Sequence, residues 1–409
     1  MSSETRSTAQ STGDRLRIAI VTETYPPEIN GVANTMRHLA EGMAARGHGV
    51  QLIRPRQPAD PGHPEQFDRL DLHLVPGLPI PGYRGLRFGL PVYWRLRRLW
   101  HRRPADLVYI ATQGPLGHAA LSAAQALKIP TITGFHTHFQ HYSRHYGLGA
   151  LTRQIAETLR HFHNRSDATL VPTAELRDSL AAEGFENLHV FGRGVDVDQF
   201  APDRRSAELR RSWGCNEDDL VALYVGRIAA EKNLALALAG FRAIQQQCPS
   251  ARFVLVGDGP ERPHLQQEHP DLIFAGARVG DELAAHYASG DLFLFPSLTE
   301  TFGNVVTEAM ASGLPVIAFD YAAARAHVQP WVNGVTVPID AQESFIDICL
   351  ECVGDRERLR RMGLEARKRA LDIGWERVLG RVEEHLFAVI HRKRGQAESC
   401  HASLATTSE

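Results

Sequence analysis

Along this chain, short runs of apolar residues alternate with stretches in which apolar positions return every three to four residues. The first run, RLRIAIVTETYPP from residue 15, reads as a strand running into a loop. Val32, Met36, Leu39, Ala40 and Met43 then recur at helical spacing, Gly47 ends the helix, and GVQLIRP reads as a second strand. ADLVYIAT, PTITGFH and DATLVP supply further buried strands, the last followed by the helix TAELRDSLAAEG. The alternation then restarts through LVALYVG, ARFVLVG, LIFAG, DLFLFP and LPVIAF, with a helical stretch between each pair. Two successive doubly wound parallel sheets are predicted, an α/β class. The pattern places a first domain over 15–198, a second over 199–373 and a final helix over 374–394. Residues 1–14 and 395–409 are polar and read as disordered tails.

Composition narrows the class. At 409 residues the chain can bury more than one core, and 43% hydrophobic with 22% charged residues is ordinary for a globular protein. The net charge of −2 gives no sign of a nucleic-acid partner. Cysteines at 215, 248, 349, 352 and 400 form no disulfide framework and suit a reducing cytoplasm. Cys349 and Cys352 make a C-x-x-C, but SFIDICLECV is a helical pattern with no second pair, so core packing is expected there. No run of eighteen apolar residues occurs, so no membrane span is expected.

The stretch richest in chemistry is FPSLTETFGNVVTEAMASG, residues 295–313, where Glu300 and Glu308 bracket seven residues. Glu300 falls on a strand-to-helix loop and Glu308 in the helix that follows. The amides of Phe302, Gly303 and Asn304 leave the helix N-terminus, where dipole and unpaired donors favour an anion. A plain crossover with two solvated glutamates fits the same letters. Arg227 and Lys232 in GRIAAEKN flank another helix start, a spacing that suits a diphosphate, although on spacing alone a solvated pair fits better. Asn30-Gly31 lies where the first strand feeds its helix, which permits close ligand approach or simply a tight turn. GFHTHFQHYSRH carries His136 and His138 on one side of a strand, yet no carboxylate or cysteine clusters with them to make a metal site. Asp196 and Asp198 form a D-x-D beside the linker APDRRS, which reads as linker geometry and not as a manganese site. G-x-G in VGDGPER has Arg262 where a dinucleotide fingerprint needs its third glycine. From Arg84 to Arg103 there are seven arginines and no carboxylate. A helix starting at Pro91 puts Val92, Leu96, Leu99 and Trp100 on one face and Arg95, Arg98 and Arg102 off it, which suits an anionic membrane surface or a basic face packed on a sheet.

Taken together, ETFGNVVTE with AMASGLPVIA, GRIAAEKN, GDGP, His136 and Gly31 resemble glycosyltransferase family four, retaining nucleotide-sugar enzymes of the two-domain GT-B architecture. The resemblance spans roughly residues 16–392 and is strongest towards bacterial glycolipid mannosyl-, glucosyl- and sulfoquinovosyltransferases. It implies two Rossmann-like domains facing across a cleft, the last helix crossing back to the first. It implies a donor diphosphate held by Arg227, Lys232 and the glycine of the first loop, Gly31. His136 is then the histidine near the reaction centre, with His138 as the alternative match. Glu308 accepts from the ribose diol, Glu300 with the Phe302 and Gly303 amides and Asn304 holds the sugar, and Val279 approaches the base. One departure concerns the donor: after PVIAF the family commonly has a glycine pair and then a glutamate, whereas this chain reads DYAAARAHV. The expected reaction moves a hexose from a UDP- or GDP-sugar to a lipid of diacylglycerol or phosphatidylinositol type, without a metal or other cofactor. The expected location is the inner face of the cell membrane, touched through Arg95, Arg98, Trp100 and Arg102. A soluble or polysaccharide acceptor, a sugar-nucleotide epimerase and a silent sugar-nucleotide-binding scaffold are the alternatives.

Overall fold

The computed structural model describes residues 15–28, 30–58, 60, 69–79, 87–136 and 149–406. His138 and residues 84–86 of the arginine-rich segment lie outside them, as does the 1–14 tail. Two parallel sheets of seven and six strands carry the fold, as the alternation of apolar runs predicts. Contacts gather the chain into two compact units, one of residues 1–134, 165–168 and 383–409, the other of residues 135–164 and 169–382.

The seven-stranded sheet has the order β3-β2-β1-β6-β7-β8-β9. Its strands are β1 (Arg17–Val21), β2 (Gly49–Pro55), β3 (Leu70–Val75), β6 (Leu107–Ile110), β7 (Thr131–Gly134), β8 (Ala168–Val171) and β9 (Leu188–Val190). A short hairpin, β4 (Gly77–Pro79) with β5 (Arg87–Gly89), stands apart from it. Ile18, Ala19, Ile20 and Val21 are all buried, which is why β1 shows no alternation: a parallel strand is covered on both faces. Helix α1 (Gly31–Ala45) starts where Asn30 accepts the amides of Val32 and Ala33 at 3.1 and 2.8 Å. Met36, Leu39, Ala40 and Met43 are buried, as their spacing requires. Helices α2 (Tyr93–Arg102) and α3 (Pro115–Ala126) pack on one another within the same unit.

The six-stranded sheet runs β12-β11-β10-β13-β14-β15. Its strands are β10 (Val221–Val225), β11 (Arg252–Val256), β12 (Ile273–Gly276), β13 (Leu292–Phe295), β14 (Val316–Phe319) and β15 (Gly334–Val337). Strand order reverses between β10 and β13, so the loops after these two strands meet at the carboxyl edge of the sheet. Helices α4 (Gly280–Ala288), α5 (Asn304–Ala311) and α6 (Gln342–Val353) belong to this unit. Cys349 and Cys352 are buried in α6, with burial pushing both thiols up, Cys352 to about 12. They are core residues with no thiolate to offer metal or redox chemistry at neutral pH.

The last helix, α7, spans Trp375–Thr406 and so runs past residue 394, where a disordered tail was expected. GQAESCHASLAT holds good helix formers, a single glycine and no proline, and polarity alone does not stop a helix. Within its own unit, Glu383 of α7 accepts from Arg46 Nε at 2.8 Å and pairs with His48 Nε2 at 2.8 Å.

Candidate active site

The site is built on the reversal of strand order in the six-stranded sheet. The loop after β10 and the loop after β11 touch so closely that a Cβ on Gly257 would fall 1.9 Å from the Gly226 carbonyl oxygen, and Gly257 has φ +147°. Only glycine fits there. From the β10 side comes Lys232, from the β13 side Glu300. Lys232 Nζ lies 2.5 Å from Glu300 Oε1, with Thr299 O at 3.2 Å and Ser297 Oγ at 3.4 Å. Ser297 Oγ also donates to Glu300 Oε1 at 3.0 Å, and the Tyr321 hydroxyl donates to the Ser297 carbonyl at 2.8 Å. The two charged side chains are only 15% and 18% exposed, so little water screens their attraction. Arg227, the other expected cation, is 58% exposed and lies 3.6 Å from Glu231. The structure therefore brings Lys232 and Glu300 together and leaves Arg227 at the rim.

Helix α5 begins at the other end of the same loop. Gly303 precedes it at φ +89°, a left-handed turn that lets the backbone swing from Glu300 into the helix. Phe302 is buried beneath that turn, and its carbonyl accepts the amide of Ala323 at 2.7 Å. Asn304 is the first residue of α5 and Glu308 its fifth. Burial pushes the Glu308 carboxyl up to about 7, although the Tyr287 hydroxyl, donating at 2.9 Å, pulls the other way. Val279, just before α4, is 57% exposed. At the DYAAARAHV departure, Ala322 takes φ +53°, the left-handed conformation in which alanine costs about 1–2 kcal/mol relative to glycine.

His136 is buried just beyond β7. Burial first, then the positive charge of Arg193 and the neighbouring His163, hold it neutral well below the usual histidine range. Arg193 Nη2 donates to the His136 carbonyl at 3.4 Å, and its guanidinium stands 5.8 Å from the centre of the Phe302 ring. Arg193 thus links the histidine to the glutamate loop, a role the sequence reading missed. Its one visible signal was an arginine in GRGVD just before the linker. Tyr287 and Ser297 were missed too: Tyr287 meets Glu308 across 21 residues, and Ser297, though it bonds nearby Glu300, meets Lys232 across 65. In the D-x-D, Asp196 Oδ1 accepts the amides of Asp198 and Gln199 at 3.2 and 2.9 Å, a turn-capping use of the carboxylate. Among the described residues no group of three or more His, Cys, Asp or Glu side chains is placed to hold a metal ion.

Gly31 opens α1 in the other unit, and its carbonyl accepts from Thr35 Oγ1 at 2.7 Å. On α2, Arg95, Arg98 and Arg102 are exposed. Trp100 corrects the expected membrane-facing set. It is only 1% exposed, because Leu96 and Trp100, four residues apart, form the stripe that packs inward on α3. Trp94 is instead 74% exposed, with Arg97 5.7 Å from its ring centre. No helix among the described residues is long and apolar enough to cross a membrane.

Residues 29–199 match the family model Glycosyltransferase Family 4, and residues 219–355 the model Glycosyl transferases group 1. A GDP-mannose-dependent alpha-mannosyltransferase of Mycobacterium tuberculosis is 36% identical over 93% of this chain and 99% of its own. The alpha-monoglucosyldiacylglycerol synthase of Acholeplasma laidlawii is 28% identical over 78% of this chain and 84% of its own. Among solved structures, sucrose-phosphate synthase from Thermosynechococcus elongatus superposes with a TM-score of 0.73 at 20% identity, covering 91% of this chain and 100% of that one, which establishes the GT-B fold. A sequence more than a third identical, over nearly its whole length, to a GDP-mannose-dependent alpha-mannosyltransferase, with both halves matched by glycosyltransferase family models, leads to one conclusion: this chain is a glycosyltransferase and belongs to Glycosyltransferase Family 4.

Proposed function

We propose that the enzyme transfers mannose from GDP-mannose to a membrane lipid, with retention of configuration and without a metal. The donor choice leans on the mycobacterial relative, and the lipid acceptor on the name of the Acholeplasma relative together with the basic face of α2. The observation that carries the reaction is the Lys232–Glu300 pair. As the glycosidic bond breaks, negative charge grows on the departing diphosphate. Lys232 is placed to neutralise it, and Arg227, exposed at the rim, can turn onto it from solvent. Once Lys232 engages phosphate, the Glu300 carboxylate is released to accept hydroxyls of the sugar. The Gly303 and Asn304 amides at the start of α5 supply further donors. Glu308, steadied by the Tyr287 hydroxyl, accepts from the ribose diol, while His136, kept neutral, stands on the Arg193 bridge to this loop. Arg95, Arg98, Arg102 and Trp94 dock α2 on the anionic cytoplasmic face of the membrane.

The test is to incubate purified protein and extracted membrane lipids with GDP-mannose, UDP-glucose and UDP-sulfoquinovose, then to identify product lipids by mass spectrometry and the anomer by NMR. An α-mannosyl lipid formed equally well in EDTA is expected. Loss of activity in EDTA with rescue by manganese would overturn the metal-free assignment, and preference for a UDP-sugar the donor assignment.

A further inference from the structure

The stretch DYAAARAHV, where the sequence departs from its family's pattern, follows β14, and β14 lies beside β13 in the six-stranded sheet. The loop that leaves β13 carries Glu300, so two loops meet at the carboxyl edge of neighbouring parallel strands. They are joined twice. The Tyr321 hydroxyl donates to the Ser297 carbonyl at 2.8 Å, and the Ala323 amide donates to the Phe302 carbonyl at 2.7 Å. Ser297 and Phe302 lie on either side of Glu300 in sequence, so residues 321–323 clip the loop before and after the glutamate. Ala322, between the two contacts, is the residue held at φ +53°. A conformation that alanine disfavours persists where surrounding contacts fix it, and such positions gather where geometry serves function. The Tyr321 ring packs against the core, in the same small crevice as Glu300 and Gly303. Burial, and then the Glu300 charge beside it, raises the phenol above its ordinary range, so at neutral pH the hydroxyl remains a donor.

The clip matters most if Lys232 moves. Lys232 puts three hydrogen bonds into this loop, to Ser297 Oγ, Thr299 O and Glu300 Oε1. A diphosphate that draws the ammonium away removes all three at once. Three other contacts then tie the loop to its surroundings: the Leu298 amide on the Glu231 carbonyl at 2.9 Å, and the two contacts of the clip. Glu231 adjoins the lysine that moves, so the clip is the anchor that comes from a separate element. Within the clip, the Ala323 contact is backbone to backbone, and Tyr321 supplies the side chain.

We propose that Tyr321 is a positioning residue for transfer: its hydroxyl, with the Ala323 amide, holds the 297–302 loop so that Glu300 stays on the sugar once Lys232 has turned to the diphosphate. The proposal rests on the donor reading above, and the experiment separates the two. Tyr321→Phe keeps the ring and removes the hydroxyl. Rates are measured at saturating GDP-mannose with extracted membrane lipids, beside GDP affinity by calorimetry. Losing one hydrogen bond to an uncharged group should lower kcat about threefold to tenfold, with GDP affinity within about twofold of wild type. In a Glu300→Gln background the same change should have no further effect, because the two residues act as one unit. A general brace would multiply the two losses, and that result overturns the proposal. Amide hydrogen exchange reads the loop without transfer. The excess exchange of Tyr321→Phe over wild type across residues 297–303 should grow when GDP is added, because GDP takes Lys232 away. An excess that is equal with and without GDP, or no excess, overturns the proposal. Wild-type kcat in Tyr321→Phe beside an impaired Glu300→Gln sinks the clip alone. Wild-type kcat in Glu300→Gln sinks the sugar-holding role of Glu300, and the clip with it. If the enzyme prefers a UDP-sugar, that sugar and UDP replace GDP-mannose and GDP in every arm, and the same outcomes decide.

Discussion

Lys232 and Glu300 are charges already satisfied by one another, so a donor bound as proposed would have to displace one partner to win the other. Replacing Lys232 by alanine does two things at once. It removes the cation proposed for the diphosphate and leaves a poorly solvated carboxylate beside the proposed site. Each charged hydrogen bond lost is worth about 1.5–3 kcal/mol, so Lys232→Ala should weaken GDP binding tenfold to a hundredfold or more by calorimetry. Affinity close to wild type would place the diphosphate elsewhere. Glu308 predicts a pH effect. Its native pKa of about 7 lies above the ordinary 4.5, so between those values the native state holds more protons than the unfolded chain. This contribution to stability is complete below about 4.5 and is lost as pH rises through 7, a loss of at most about 3 kcal/mol. Glu308→Gln should flatten that slope in urea melts and be the more stable protein at pH 8; a parallel slope would show the carboxyl ionised throughout. At this scale the sequence displayed the glutamate spacing and the R-x4-K, but not that Lys232 would meet Glu300 across 68 residues, since pairing depends on which strands are neighbours.

Helix α2 shows what a period can and cannot reveal. The 3.6-residue repeat correctly put Leu96 and Trp100 on one apolar stripe, yet an apolar stripe looks the same whether it meets lipid or protein. Here α3 is the partner, and the exposed tryptophan of the helix is Trp94. The two should separate cleanly. Trp100→Ala should cost about 3–5 kcal/mol of stability through the cavity it leaves. Trp94→Ala should leave melting unchanged and weaken binding to phosphatidylglycerol-containing vesicles in sedimentation assays. Reversing Arg95, Arg98 and Arg102 to glutamate should release the protein from those vesicles, because each arginine near an anionic surface contributes about 1 kcal/mol. Wild type that ignores such vesicles at low salt would end the membrane reading.

For the molecule as a whole, the alternation of apolar runs made two parallel sheets legible because strands covered on both faces leave continuous hydrophobic stretches. The spatial strand order, and with it the reversal between β10 and β13, is not written in any local pattern. Nor is the grouping of the chain, since the unit that begins at residue 1 is completed by residues 383–409. That return has a consequence for biosynthesis. About 250 residues separate Gly134 from Glu383, and at about 5–20 residues per second the ribosome needs roughly 12–50 s to deliver them. During that interval Arg46 and His48 wait without the carboxylate that later joins them, and the opening βαβ unit has no α7 to close on. The unit that holds β1 and β2 is therefore expected to complete its packing only once residues 383–409 have been made. Stopping the chain at Val382 should raise amide hydrogen exchange in β1 and β2, hundreds of residues from the cut, while β10 and β13 keep their protection. Equal protection of β1 and β2 in both proteins would show that the first unit needs nothing from the end of the chain.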